Sequence, residues 1–291
     1  MYENNILSLP WDILFIVLKY MDNDNNFTCN DILNFVTCNK YLMENLIEKN
    51  IKFYKKCNVD NIKKIISPFF SYDLEISEKT KKIYLLSIDS ISSSMLHLKE
   101  IYFDYSFNLP IKKLPNNITH LTFGYYFDQS IDEFPKTLTY LCFKGKFNKP
   151  MDNLPISLTN LTFGNYFNQP VDKLPPNITH LTFGICFNQP VDKLPPNITH
   201  LTFGFSFNQS IANLPTKITH LTFGLNFNQS IAELPTKITH LTFGSITRKL
   251  LYDLPKSLIH LTLDEKYRDE CRGIRKIIGG TVKIHFARFN Y

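Results

Sequence analysis

The sequence lacks the motifs on which most enzymes depend. It contains no GxSxG, HExxH or phosphate-binding loop, and its recurring aspartates, such as Asp172 and Asp192, only fill equivalent positions of an internal repeat. A protein that binds other molecules fits this pattern better than one that transforms them. We therefore predict a non-enzymatic protein without a cofactor or a metal site.

Long apolar runs and paired cysteines are also missing. Near the N-terminus the longest apolar run, residues 13–18, is far shorter than the roughly 20 residues that cross a bilayer, and the first five residues carry no basic start. The six cysteines lie far apart and form no CxxC pair, which favours reduced thiols over disulfides or zinc. We predict an intracellular, cytoplasmic protein that does not bind membranes.

The composition is that of a folded protein. Hydrophobic residues make up 44% of the chain and aromatic residues 14%, which is ample for a packed core. The formal net charge is +6, but the lysines are scattered along the chain rather than clustered. We therefore expect no nucleic acid partner.

A repeat of 20 residues dominates the sequence. The string THLTFG ends at Gly124, Gly184, Gly204, Gly224 and Gly244, and looser copies lie at 101–103, 141–143, 161–163 and 261–263. A proline recurs in step, from Pro115 to Pro255, without insertions. A fixed period of this length predicts a stacked repeat architecture of nine copies.

Each repeat is predicted to form one short strand and an irregular return. In residues 174–193, Ile178, Leu181 and Phe183 alternate with polar residues, so Leu181 and Phe183 should point inward and His180 and Thr182 outward. About six apolar side chains at roughly 1.5 to 3 kcal/mol each cannot offset about 1.5 kcal/mol of ordering entropy for each of about 20 residues. Repeats must therefore stack as a mainly β solenoid with a parallel sheet.

The ends of the chain depart from the repeat. We divide the chain into a helical module at 1–50, a connector and N-terminal cap at 51–97, the solenoid at 98–264 and a C-terminal cap at 265–291. In the connector, Ile83 and Leu85 predict a leading strand. In the C-terminal cap we expect a basic helix over 267–278 and a closing strand with Val282, Ile284 and Phe286.

The N-terminal module follows a helical pattern. Pro10 suits a first helical turn, and residues 13–21 are apolar on more than one side, so this helix needs two partners. Two further amphipathic stretches follow a polar loop at 22–30. From the pattern alone, a three-helix cap for the solenoid remains open as an alternative to a separate binding module.

The module resembles an F-box in the strings LPWDIL at 9–14, VLKYM at 17–21, DIL at 31–33 and VTCNKYL at 36–42. The F-box family binds a Skp-type adaptor of cullin-based ubiquitin ligases. The resemblance implies that Leu9, Pro10, Ile13 and Val17 contact the adaptor.

The repeats resemble the FNIP repeat, a relative of the leucine-rich repeat. The resemblance rests on FNQP at 167–170 and 187–190 and on FNQS at 207–210 and 227–230, and it covers residues 98–264. An F-box joined to FNIP repeats is typical of amoebae and of the large DNA viruses that infect them. The resemblance thus predicts an amoebal or viral origin and, for a viral protein, a place in the host cytoplasm.

Two sets of repeat positions are candidates for partner binding. Histidines recur at one position, and with strands about 4.8 Å apart they should form an outward ladder, which we interpret as structural because a line of imidazoles does not converge on a metal. The pair of residues after each repeat glycine varies most, which indicates either partner anchors or unconstrained loops. The candidate surface residues are Tyr125, Tyr126, Tyr166, His180, Thr182, His200, Thr202, Phe205, His220, Thr222, Leu225 and His240.

Two functions follow from these observations. The first is a monomeric, substrate-recruiting F-box subunit of a cullin-type ubiquitin ligase, in which the module binds the adaptor and the repeats bind a target protein. The alternative is a protein–protein interaction scaffold without a link to ubiquitin ligases.

Overall fold

A computed structural model describes residues 98–111, 114–246, 248–269, 271–278 and 281–288, and the backbone of three short segments before them. The chain divides into two compact units, residues 1–98 and 99–291. In the first unit, strands β1 (Phe53–Tyr54) and β2 (Phe70–Ser71) pair in parallel, and β3 spans Lys82–Leu85. Ile83 and Leu85 thus lie in a strand, as predicted. The F-box-like residues 9–42 lie outside the described part of the chain.

The second unit is a parallel solenoid. Its described residues form ten strands, one short strand for each 20-residue repeat and one beyond them. In chain order these are β4 (Glu100–Phe103), β5 (His120–Phe123), β6 (Tyr140–Phe143), β7 (Asn160–Thr162), β8 (His180–Thr182), β9 (His200–Thr202), β10 (His220–Phe223), β11 (His240–Phe243), β12 (His260–Asp264) and β13 (Lys283–Ala287).

Strand pairing keeps the repeats in register. Each strand from β4 to β11 pairs in parallel with the next strand of the chain, so that equivalent residues lie side by side, as His220 does with His240. One carbonyl before each strand accepts two N–H groups of the next repeat; Thr159 accepts those of Thr179 and His180 at 2.9 and 3.1 Å. The predicted nine-turn solenoid with a 20-residue period is therefore confirmed.

The core consists of regular columns of apolar side chains. Leu181 is 1% exposed and Ile178 fully buried, whereas His180 is exposed, as the alternation predicts. Two phenylalanines from each repeat, one at the strand end and one in the return, form what we call the phenylalanine columns. The rings of Phe183 and Phe187 stack with centroids 3.7 Å apart, and Phe203 in the next repeat lies 5.7 Å from Phe183. Stacking and burial therefore bind neighbouring repeats together.

Asparagines form a second ladder between the repeats. The Oδ1 atom of Asn168 accepts the backbone N–H of Asn188 at 2.9 Å and the Nε2 of Gln189 at 3.1 Å, and the same contacts recur along the solenoid. These hydrogen bonds connect each return loop to the next. The side chains are half-buried rather than in the core, because the backbone groups that they satisfy lie in the return loops.

The repeat glycines stand where two repeats approach closely. A Cβ atom at Gly204 would collide with the carbonyl oxygen of Gly184, and one at Gly184 with that of Gly164. Only a residue without a side chain allows this spacing of the backbones.

The C-terminal part differs from the prediction in two ways. Helix α1 spans Arg248–Tyr252, before the last repeat strand. In place of the single helix expected over 267–278, the chain forms a 3-10 helix at Glu265–Tyr267 and then helix α2 at Cys271–Ile278. Helix α1 was not predicted; it replaces the FNQS return of the repeat that follows β11, and it buries Leu250 and Leu251. Strand β13 pairs with β12 and prolongs the sheet, so that Ile284 and Phe286 on this edge strand are only half-buried.

Two other features concern the cysteines and the helices. Cys142 and Cys186 are free thiols, and burial raises the pKa of the Cys142 thiol. None of the helices in the described part of the chain is both long and apolar enough for a membrane span.

Candidate functional site

The histidine ladder runs along one face of the sheet. The rings of His180, His200, His220, His240 and His260 stack with successive centroid distances of 4.2, 4.2, 4.1 and 4.5 Å. The ladder continues to His285 in β13, whose Nε2 lies 2.9 Å from Nδ1 of His260. Toward the N-terminal repeats the row of histidines is interrupted, because Tyr140 and Asn160 occupy the histidine position between His120 and His180.

In the ladder a threonine precedes each of His180, His200, His220 and His240, and it can bond the imidazole in either protonation state. The Oγ1 of Thr199 lies 2.9 Å from Nδ1 of His200 and 3.2 Å from the carbonyl oxygen of Thr179. The hydroxyl can donate to a neutral imidazole, or it can accept from an imidazolium and donate to the carbonyl instead. These four histidines therefore keep their hydrogen bond to the threonine whether or not they are protonated.

The pKa values of His200, His220, His240 and His260 are lowered. In each case desolvation is the largest cause and repulsion from neighbouring histidines follows. Desolvation lowers these pKa values because it disfavours the charged imidazolium.

The geometry of the ladder does not suit a metal ion. Stacked rings present their nitrogens side by side, whereas a metal site requires ligands that converge on one point. In the described ranges, no group of three or more histidine, cysteine, aspartate or glutamate side chains could hold a metal ion.

A second surface lies at the opposite end of the strands, in the turns after the repeat glycine. Here four tyrosines form what we call the tyrosine patch: Tyr105, Tyr125, Tyr126 and Tyr166. The ring of Tyr105 stacks on Tyr125 at 5.2 Å, and Tyr126 meets both edge-on at 5.3 Å. Tyr166 contacts Tyr125 edge-on at 6.4 Å. Tyr105, Tyr166 and Tyr126 are 60%, 48% and 42% exposed.

Gly145 makes the patch possible. In this repeat the usual order is inverted, with Lys144 in the place of the repeat glycine and Gly145 after it. A Cβ atom on residue 145 would lie 2.6 Å from Cδ2 of Tyr125, so the ring of Tyr125 occupies space that any other residue would fill. Tyr166 of the following repeat reaches Tyr125 across this gap, and the hydrogen bond between them is the main cause that raises the pKa of Tyr125.

Two lysines lie in the same turn as Gly145. The Nζ of Lys146 is 4.5 Å from the ring centroid of Tyr126, in a cation–π contact. Lys144 is exposed, and neither lysine forms an ion pair with any residue that the structure describes. The patch thus combines aromatic surface with the positive charge of Lys146, and the exposed Lys144 lies in the same turn.

The repeats match the family model described as FNIP Repeat, in overlapping segments at 109–146, 147–186, 167–206, 187–226 and 207–246. The centre of the solenoid consists of FNIP repeats. No curated protein matches the sequence significantly.

Among solved structures, CroV588, described as "a novel circular LRR protein structure", matches with 31% sequence identity and a TM-score of 0.45. The match covers 82% of this chain and 43% of CroV588. This chain therefore spans less than half the length of that protein.

The candidate residues predicted from the repeats fall on two separate surfaces. The histidines and Thr182, Thr202 and Thr222 lie on the sheet face, whereas Tyr125, Tyr126, Tyr166, Phe205 and Leu225 lie in the turns beyond the strands. Phe205 and Leu225 are half-buried. The predicted adaptor contacts Leu9, Pro10, Ile13 and Val17 lie outside the described residues.

Sequence reasoning missed Tyr105, Lys146 and His285 as members of these surfaces. Tyr105 occupies the same repeat position as Tyr125, so alignment of the degenerate first repeat could have found it. His285 has no such signal, because β13 pairs with β12 at a spacing of 23 residues instead of 20: Lys283 is opposite His260.

Proposed function

We propose that the solenoid is a non-enzymatic binding module that captures a partner protein. The tyrosine patch is the observation that supports this proposal. Tyr105, Tyr126 and Tyr166 remain 42–60% exposed although they contact one another, and clustered exposed tyrosines are typical of binding hot spots. They contribute a large contact area at a small loss of side-chain entropy when a partner binds.

The division between core and turn positions supports the same function. Core residues such as Leu181 and Phe183 are repeated almost unchanged along the solenoid, so they give all repeats the same shape. The turn residues after the glycine differ from repeat to repeat, so they give the local surface of each repeat its own character. Variable surface loops of this kind are suited to discriminate between partners.

A display selection tests this function. A library of random peptides is selected against the full chain, and the binders are compared on the double variant Tyr125→Ser/Tyr126→Ser and on Tyr252→Ser. Tyr252 is a suitable control because it is 72% exposed and lies in α1, away from the patch. We expect binders that lose affinity for the double variant and keep it for the control. Binders indifferent to both changes would contradict the proposal.

A finer proposal concerns the ubiquitin pathway and rests on the F-box-like strings at 9–42. We propose that the module binds a Skp-type adaptor in the cytoplasm and that the solenoid presents the captured protein for ubiquitination. In this arrangement, Leu9, Pro10, Ile13 and Val17 supply the apolar adaptor contacts that the resemblance implies.

Co-purification with a Skp-type adaptor tests the finer proposal. The change Ile13→Glu/Val17→Glu should abolish adaptor binding, because an unpaired charge buried in an apolar interface costs several kcal/mol. Affinity for the display-selected peptides should remain unchanged. If the wild-type chain never retains the adaptor, the function is that of a scaffold without a ligase, and the proposal for the solenoid stands.

A further inference from the structure

We propose that the tyrosine patch, with Lys144 and Lys146, binds an acidic peptide segment of the partner protein. This inference rests on the proposed function of the solenoid as a binding module, and it adds the chemistry of the partner. Its basis is the combination of exposed tyrosines, two lysines that form no ion pair within the described part of the chain, and a turn in which Gly145 leaves room for the ring of Tyr125.

The patch is a built feature of the third repeat. Its inverted Lys144-Gly145 order is a departure from the Gly-first order of the neighbouring repeats, where Gly124 and Gly164 occupy the corresponding position. The inversion removes the side chain beneath Tyr125 and adds a lysine at the position before it. One local change of sequence thus creates both the seat for the aromatic cluster and part of its positive charge.

The two carboxylates near the patch already have partners within the protein. Asp104 accepts hydrogen bonds from the backbone N–H and the hydroxyl of Ser106, both at 3.1 Å. Asp128 pairs with Lys149 at 3.1 Å and accepts the N–H of Asn148 at 2.9 Å. Lys144 and Lys146 are left for a partner, and tyrosine hydroxyls and ammonium groups are suitable donors to carboxylates.

The ring geometry favours a peptide over a single-stranded nucleic acid. The bases of a single-stranded nucleic acid bind to proteins by stacking on open aromatic faces. Here one face each of Tyr105 and Tyr125 is covered by the other ring, and one face of Tyr126 by the ammonium of Lys146. A basic peptide is also disfavoured, since Lys146 already occupies the cation site on Tyr126.

Fluorescence anisotropy with defined probes tests the inference on the full chain. The acidic probe is a labelled peptide of four Asp-Glu-Phe units, its neutral match has four Asn-Gln-Phe units, and oligodeoxythymidine represents nucleic acid. We expect the acidic peptide to bind at least about tenfold more tightly than the neutral one at low salt, because charge pairing adds to the shared aromatic contacts.

Two pairs of charge reversals locate the site. Lys144→Glu/Lys146→Glu should weaken binding of the acidic peptide by at least about tenfold. Lys237→Glu/Lys256→Glu changes the net charge equally on exposed lysines of later repeats and should alter binding by less than about threefold. Unchanged thermal unfolding of each variant shows that the effect is on binding.

Several results would overturn the inference. Equal affinity for the acidic and neutral peptides, equal losses in the two charge-reversed pairs, or preferential binding of oligodeoxythymidine at the patch would each do so. If display-selected peptides require the tyrosines and are indifferent to the lysine changes, the binding function stands and the acidic partner does not. If the tyrosine changes have no effect either, both fail.

Discussion

Phe203 lies in the middle of the phenylalanine columns and is 1% exposed. Its ring centroid is 3.7 Å from that of Phe207 in its own repeat, 5.7 Å from Phe183 in the previous repeat and 5.8 Å from Phe223 in the next. The change Phe203→Ala therefore removes contacts within one repeat and on both of its interfaces. It tests whether the repeats are held together by this core.

The expected loss follows from the buried area. A phenylalanine buries about 150 to 250 Å², which at about 25 cal/mol per Å² corresponds to about 4 to 6 kcal/mol. Measured losses for buried Phe→Ala changes are about 3 to 5 kcal/mol. We therefore expect the free energy of unfolding to fall by about 4 kcal/mol. The half-buried Phe205 provides a matched control, and Phe205→Ala should cost under about 1.5 kcal/mol.

Urea unfolding followed by far-ultraviolet circular dichroism measures both changes. In a solenoid, stability depends on the coupling between neighbouring repeats, so Phe203→Ala should also separate the unfolding of the flanking repeats into two transitions if the coupling is lost. A loss below about 1.5 kcal/mol, or one equal to that of Phe205→Ala, would refute the reasoning that the phenylalanine columns hold the repeats together.

Two further predictions concern the polar ladders. Because the folded pKa values of His200, His220, His240 and His260 are lowered below the unfolded value, the unfolded chain binds more protons, and stability should be full above about pH 6.5 and fall as the pH drops below it. The melting temperature should show this decline and the variant His200→Gln/His220→Gln a weaker one; a flat wild-type profile from pH 7.5 to 5 would contradict it. The change Asn188→Ala leaves the N–H of Asn208 without its acceptor and should cost about 1 to 2 kcal/mol in urea unfolding, whereas Asn188→Asp should cost less, because Asp128 fills the same role for Asn148. Equal losses for these two changes would show that the accepted hydrogen bond is not the cause.

The repeated part of the fold could be predicted from the sequence because it depends on local patterns. The alternation of Ile178, Leu181 and Phe183 with polar residues fixes which side chains are buried, and the constant period fixes the register of neighbouring strands. The histidine ladder follows directly, since residues 20 apart must lie side by side.

The ends of the solenoid were harder to predict because the period is broken there. Residues 245–252 lack the FNQS string, and helix α1 forms where Leu250 and Leu251 become buried. Strand β13 pairs with β12 at an irregular spacing and brings His285 to the ladder. Neither arrangement follows from repetition.

The candidate binding surface was also predictable from the sequence only in part. Variation after the repeat glycine indicates from sequence where partner contacts lie, and it includes Tyr125, Tyr126 and Tyr166. The variation does not indicate that Tyr166 contacts Tyr125 across Gly145. These two residues are 41 positions apart and belong to repeats that are separated by one intervening repeat, the one that contains Gly145.

By itself, the sequence determined the period, the inward and outward residues and the parallel register, because each depends on spacing along the chain. The tertiary structure alone decided that the two sets of surface residues lie at opposite ends of the strands, and that four tyrosines and Lys146 meet beside Gly145. The physical reason is that contacts between side chains of successive turns depend on space, and the missing Cβ of one glycine provides that space.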